Sequence, residues 1–307
     1  MDPDFAVVVI SDKLMLPGVH VALLSALEHW KGSAPPSFLV FLEGASEKDR
    51  EKLRNTLNQL QLPYSAEIRE ISADAFHAHK SLHGSHMNYC RLLLPSLLPG
   101  IKRALYIDAD VLVLADLSKF NSIDMKGLAL GAVAATTHEW SIDQALAVER
   151  NIPLESPYFN NGVLLFDLEK WRECSLLDTC MNFMETHHAK LLSHEQTVLN
   201  HVFHGNFHHL PLRYNRGLPP DAPVPTDVAD SILHFWGSPK PFDALGSMLH
   251  LSYDIYSSYL CRTRLQHSHW SNRFSPSTLK RTLLLAGPYA HQISCYVRRQ
   301  LKKRTQT

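Results

Sequence analysis

A chain of 307 residues, 45% hydrophobic and 20% charged, suffices for one large α/β domain or two modest ones and needs no covalent staples. Its five cysteines are scattered and odd in number, with no CxxC pair, which suggests neither a disulfide framework nor a cysteine zinc site and points to a reducing compartment. The formal charge of zero hides a split: ten Lys and Arg and no acidic residue follow Asp254, leaving 20 basic against 30 acidic residues before it, so the tail calls for an acidic partner.

The N-terminus places acidic residues before a five-residue apolar run, unlike a signal peptide, and no segment approaches the roughly 18 apolar residues of a membrane span. A cytoplasmic protein is expected. Residues 5–10 read as a short buried strand. Pro17 opens a helix to about residue 30, and residues 37–42 make a second strand. Residues 46–60 form a helix with Ser46 as N-cap, Asp49 three residues on, and Leu53, Leu57 and Leu60 in one stripe. Residues 67–71 are a third strand, and residues 86–98 a helix ending at Pro99-Gly100. The segment RALYIDADVLVLADL, residues 103–117, then runs a buried strand into two aspartates one residue apart. Further strands are expected at 128–135, 158–166 and 231–235, helices at 176–187 and 194–203, and a Pro-rich loop at 217–227. This alternation predicts an α/β fold with a mostly parallel, doubly wound sheet, whose ligands bind beyond the carboxyl ends of the strands. Asp108 and Asp110 stand at one such end. The acidic body spans residues 1–254 and the basic tail residues 255–307.

Two neighbouring carboxylates repel, and burying either one unpaired is costly. Something positive must sit there. A hard divalent cation such as Mg²⁺ or Mn²⁺ fits, since it takes carboxylate oxygens and shares them with substrate phosphates. Two other readings compete: one aspartate caps a turn while its neighbour is solvated, or an aspartate is the nucleophile of a haloacid-dehalogenase-type phosphatase. Val111-Leu112 after the pair, and four elements before it, disfavour the latter. Asn160-Asn161-Gly162 offers two amides for sugar hydroxyls and a glycine that lets a ligand approach the backbone, or else a plain turn. Glu195-Gln196 opens a helix, where acidity is ordinary. His234 can complete a metal shell and Lys240 can neutralise a phosphate.

The ordered set Tyr89-Cys90-Arg91-Leu92, Tyr106-Ile107-Asp108-Ala109-Asp110, Phe159-Asn160-Asn161-Gly162-Val163, Gln196 with Leu199-Asn200, and His234 through Pro241 resembles glycosyltransferase family eight. That family includes bacterial lipopolysaccharide galactosyl- and glucosyltransferases and glycogenin. The resemblance implies a GT-A fold and a retaining enzyme that uses a UDP-sugar, UDP-glucose or UDP-galactose, with Mn²⁺ or Mg²⁺. It implies Asp108, Asp110 and His234 as metal ligands, with Asp108 also near the donor ribose. Gly237 and Lys240 would meet the diphosphate, Asp12 the uridine, and Arg91 and Asn161 the donor. Asn160, Glu195 and Gln196 would surround the transferred sugar as the catalytic set. Four departures are visible: Glu195 stands where Asp is usual, Phe242 where Trp is common, Asn161 where a smaller residue is frequent, and the first-strand motif around Asp12 lacks its second acidic residue.

Gln196 is a poor nucleophile, and Glu195, its helical neighbour, points about 100° away. Front-face attack with the departing phosphate as base is therefore expected over double displacement, with a divalent ion and Lys240 stabilising the leaving diphosphate. A catalytically degenerate sugar-nucleotide-binding protein is the other reading. His201, His204, His208 and His209 cluster without ligand-grade cysteine spacing, so a zinc site there is disfavoured. In the tail, Leu279, Leu283, Ala286, Ala290, Ile293, Val297 and Leu301 recur at three and four residues, with Pro288 splitting the stripe and basic residues at its end. Such a helix lies on an anionic membrane surface, which suits a glycan or lipid-linked saccharide acceptor and a place on the inner face of the cell membrane, or else it docks on the acidic body. Nucleic acid is not expected as a partner.

Overall fold

The first strand shows why the core has two halves. In β1 (Phe5–Asp12) every residue through Ser11 is buried; Ala6, Val8 and Ile10 join one apolar cluster while Phe5, Val7 and Val9 join another. Successive side chains point to opposite faces, so a strand apolar at both parities must lie in mid-sheet with both faces covered. The computed structural model describes residues 4–263, 265 and 276–304.

After β1 come α1 (Leu16–Glu28), β2 (Ser37–Glu43), α2 (Glu47–Asn58), β3 (Ser65–Glu70), α3 (Leu94–Leu97), β4 (Arg103–Ile107) and β5 (Val111–Val113). The chain continues through β6 (Leu130–Thr137), α4 (Gln144–Glu149), β7 (Pro157–Asp167), α5 (Leu168–Glu173), α6 (Leu176–His187), α7 (Glu195–Val202), β8 (His208–His209), β9 (Arg216–Gly217) and β10 (Ile232–His234). It closes with α8 (Gly246–Leu249), α9 (Tyr253–Leu260), α10 (Pro276–Leu284) and α11 (Ala286–Arg304). A seven-stranded sheet in the order β3-β2-β1-β4-β7-β6-β8 is parallel except where β7 runs against β4 and β6. A small sheet, β5-β10-β9, stands beside it. Helix α1 is buried from Gly18 to Leu27 because it packs against β5, α2 and α9 as well as β1. The fold is the expected α/β architecture, a mostly parallel sheet with a helical C-terminal segment.

Two segments depart from the pattern reading. Within the helix expected over 86–98, residues Met87–Leu93 take the tighter 3₁₀ form. Pro95 has no N–H to give the Arg91 carbonyl, which accepts from Leu94 N–H instead and so tightens the turn. In the tail, Pro288 falls in the first turn of α11, and the chain breaks between α10 and α11. The predicted apolar stripe is exposed along its whole length, for example Leu279 at 59%, Leu283 at 70% and Val297 at 47%. A different face docks: Leu285 and Tyr289 are buried against Leu249, and Tyr289 O–H donates to the Ala244 carbonyl at 2.8 Å. Docked tail and outward stripe therefore coexist.

Candidate active site

Two backbone ladders converge on the acidic turn. β4 ends where Ile107 pairs with Val163, and the next amide, Asp108 N–H, donates to the Gly162 carbonyl at 2.8 Å. β5 begins with Val111 directly opposite His234, and Phe235 N–H donates to the Asp110 carbonyl at 3.0 Å. Strand register thus carries His234 to the aspartates. Its Nε2 lies 3.2 Å from Asp110 Oδ1 and 3.7 Å from Asp108 Oδ2. Among the described residues these three form the one cluster of three or more carboxylate, imidazole or thiol groups compact enough to share a cation. Adjacent ligands of an octahedral ion with bonds of about 2.1 Å stand about 3 Å apart, so the spacing fits.

Gly162 makes room for this ring. A Cβ there would stand 2.1 Å from His234 Cε1, so the space the sequence reading left for a ligand is taken by imidazole. The same segment sets the imidazole's tautomer. Asn160 Oδ1 accepts from Gly162 N–H at 2.9 Å, which turns Asn160 Nδ2 toward Gln196 Oε1. Asn215 Nδ2 donates to that Asn160 Oδ1 at 2.9 Å and presents its own Oδ1 to His234 Nδ1 at 2.8 Å. An imidazole with its proton on Nδ1 satisfies Asn215 and keeps the Nε2 lone pair for a cation. Trp236 Nε1, also 2.8 Å from Nδ1, competes for that nitrogen in the other tautomer. With Nδ1 protonated, Nε2 faces Asp110 Oδ1 as acceptor against acceptor, an arrangement that a second proton or a cation relieves. The donor set, two hard carboxylates and a positioned imidazole, suits a divalent ion such as Mn²⁺ or Mg²⁺.

The protein also supplies cations of its own. Arg91 Nη2 donates to Asp108 Oδ1 at 3.0 Å, and Tyr106 O–H donates to the same oxygen at 2.6 Å. Lys240 Nζ pairs with Asp110 and donates to the Phe235 carbonyl at 2.9 Å. Part of the positive charge expected beside the pair is therefore the protein's own, since Arg91 and Lys240 flank it. Burial alone would raise the Asp110 carboxyl; Lys240 and His234 outweigh it and hold the group well below the usual carboxylate range.

Behind the carboxylates lies a polar layer. Glu195, 4% exposed, accepts from Asn88 Nδ2 and from Asn161 Nδ2 at 3.4 Å, and lies 3.5 Å from Arg91 Nε. The carboxylate is thus committed to Arg91, Asn88 and Asn161. Gln196 Oε1 accepts from Asn160 Nδ2 at 3.3 Å and from Asn161 N–H at 3.2 Å. In front opens a cleft of about 930 Å³, walled by Asp12, Arg91, Asp108, Asp110, Gly237 and Lys240. Asp12 Oδ1 is held by the Leu14 and Met15 amides at 2.9 and 3.2 Å. Gly237 adopts φ +69°, which favours glycine at this bend. Phe242, 5% exposed, packs with Val21, Leu112 and Tyr256, so it offers no stacking face to an acceptor. Pattern reading missed Asn88 and Asn215, isolated amides outside any motif, and also the far wall of the cleft, where Arg281, Leu285 and Pro288 come from the tail. His201 sits beside His138 and His204 rather than with His208 and His209, which form β8.

A family model described as Glycosyl transferase family 8 matches residues 6–246, which takes in the acidic turn, β7, α7 and the His234–Lys240 loop. The chain belongs to glycosyl transferase family 8. As a family 8 glycosyltransferase it is 28% identical over 269 residues to General stress protein A of Bacillus subtilis (strain 168), covering 81% of this chain and 89% of that one. It is 32% identical over 134 residues to the lipopolysaccharide 1,2-glucosyltransferase of Escherichia coli (strain K12), covering 43% of this chain and 38% of that one. Among solved structures, galactosyltransferase LgtC in complex with donor and acceptor sugar analogues superposes with a TM-score of 0.73 at 21% identity, over 88% of this chain and all of that chain. The bifunctional glycosyltransferase WbbM, in its apo form, gives 0.68 at 19% identity, over 90% of this chain and 52% of that one. The chain thus spans most of the Bacillus relative and about half or less of several longer ones.

Proposed function

We propose that this glycosyltransferase is a retaining hexosyltransferase that takes UDP-glucose or UDP-galactose as donor and a glycan or lipid-linked saccharide as acceptor. The observation that carries the reading is the convergence of Asp108, Asp110 and the Nε2 of His234 at the rim of the cleft. Those three residues would hold Mn²⁺ or Mg²⁺. A divalent ion bound there supplies electrostatic stabilisation for the diphosphate as it leaves.

The chain's own residues have distinct parts. Asp12 lies at the uridine end, and Gly237 and Lys240 meet the diphosphate. Lys240 leaves Asp110 for the donor phosphates as these enter, exchanging one anion for another at little electrostatic cost. Arg91, held by Asp108, Glu195 and the Asn161 carbonyl at 2.6 Å, keeps Asp108 oriented. Asn160 and Gln196 face the sugar as a hydrogen-bonded pair, and Asn161 braces Glu195 behind them. Because the Glu195 carboxylate is buried and bound to Arg91 and two amides, it supports no covalent intermediate, and front-face attack is the favoured route. No observation favours the catalytically degenerate reading.

Residues 1–254 would carry the chemistry and residues 255–307 the attachment. No described helix is long and apolar enough to cross a membrane. The outward stripe of Leu279, Leu283, Ile293 and Val297, with basic residues on the same segment, supports seating on an anionic inner membrane face. The lipopolysaccharide name of the Escherichia coli relative is consistent with a lipid-linked acceptor there. The test is UDP release from a panel of UDP-sugars with and without Mn²⁺. Metal-dependent release from one hexose donor is expected. No release and no binding across the panel would refute the reading.

A further inference from the structure

The family-matched segment ends at residue 246, yet the cleft is completed by residues beyond it. Arg281 of α10 is the charged one. Its side chain is 13% exposed, and it grips Asp243 twice, Nε to Oδ1 at 2.8 Å and Nη2 to Oδ2 at 3.0 Å. Asp243 Oδ2 also accepts the backbone N–H of Lys240 at 2.7 Å. Lys240 in turn sends its ammonium to Asp110. An unbroken line of charge-assisted contacts therefore runs from the tail, through Asp243 and Lys240, to a carboxylate of the candidate metal cluster. The helices are pinned to the same loop at a second place, through Tyr289 O–H on the Ala244 carbonyl.

We propose that Arg281 is a positioning residue for Lys240. The inference rests on the reading that the cleft takes a nucleoside diphosphate. Asp243 is a buried carboxylate, and Arg281 is its cationic partner. With the guanidinium gone, Asp243 keeps one backbone donor and must find charge elsewhere. A mobile cation stands three residues back in the same loop, the Lys240 ammonium, whose own backbone N–H already reaches Asp243. Lys240 drawn to Asp243 is withdrawn from the donor phosphates. The tail would thus be part of the donor site, and its docking would set how well the site holds a diphosphate.

Calorimetric titration of the full chain with UDP in the presence of Mn²⁺ tests this. The wild type must bind UDP; if it does not, the proposed function fails and not merely this refinement. Given binding, Arg281→Gln should weaken UDP about tenfold, the scale of one charged hydrogen bond. Arg281→Lys should recover part of that loss. In a Lys240→Ala background the Arg281→Gln change should have no further effect, because Arg281 acts through Lys240. A general loss of packing would weaken both backgrounds alike. Unchanged UDP affinity in Arg281→Gln, or an equal loss in the two backgrounds, overturns the proposal. If Arg281→Gln does not fold, the double variant Arg281→Gln with Asp243→Asn, which leaves no carboxylate to draw Lys240 away, is read instead: UDP affinity near that of the wild type is expected, and a tenfold loss there overturns the proposal.

Discussion

His234 shows how much of the site depends on single atoms. The imidazole can face Asp108 and Asp110 only because residue 162 has no side chain, and Asn215, oriented through Asn160 and one backbone amide, favours the tautomer that leaves Nε2 free. Gly162→Ala should displace the ring and abolish metal-dependent turnover. Asn215→Ala should lower Mn²⁺ affinity about 10- to 100-fold, the usual effect of removing an outer-shell partner, with the fold retained by circular dichroism. Mn²⁺ titration reads both, and wild-type affinity in either variant contradicts the assignment. At this scale legibility follows chemistry. Asp108, Asp110, His234 and Lys240 carry groups rarely placed at strand ends without a purpose, and they could be singled out from the letters. Asn88 and Asn215 owe their parts to strand register and a 3₁₀ turn, which no local pattern encodes. Glu195 can be named as a candidate from its motif, whereas its contact with Arg91 depends on the fold.

Most elements were legible because the apolar period is strong in β1, β2, β4 and β7, and because Ser46 and Asp49 do form a reciprocal cap on α2. The helix expected over 86–98 forms as a 3₁₀ stretch followed by α3, and the tightening at Arg91 traces to the N–H that Pro95 lacks. One element-level consequence concerns histidines held between α7 and the turn after β6. His138 and His201 are buried with neither ring nitrogen hydrogen-bonded. Burial pushes His138 down to about 4, and burial with the nearby His138 pushes His201 down to about 3. In the unfolded chain both regain the ordinary value near 6.5. Between that value and the folded ones the unfolded state binds more protons, so stability falls as pH falls through this window. From about pH 6.5 to pH 5 each histidine should cost about 2 kcal/mol. Urea unfolding at the two pH values measures this. His201→Gln should remove about one such share, and an unchanged pH slope would contradict the account.

At the scale of the molecule, the tail does two things at once. One face of α10 and α11 seals the cleft while the other presents apolar side chains outward. Periodicity revealed the outward stripe but could not reveal the docked face, since Leu285, Tyr289 and Gln292 become a face only once the body is beneath them. If the stripe is a membrane contact, the chain should sediment with anionic vesicles, less so at high salt. Ile293→Glu with Val297→Glu should abolish sedimentation while leaving UDP binding intact, and sedimentation equal to wild type would remove the membrane from the account. The central claim is narrower than any of these: a cation shared by Asp108, Asp110 and His234 holds the donor. Electron paramagnetic resonance of Mn²⁺ titrated into the wild type, Asp110→Asn and His234→Ala, each with UDP present, tests it most directly. One UDP-dependent Mn²⁺ site in the wild type, lost in both variants, is the result expected; an unaltered Mn²⁺ signal in Asp110→Asn would contradict it.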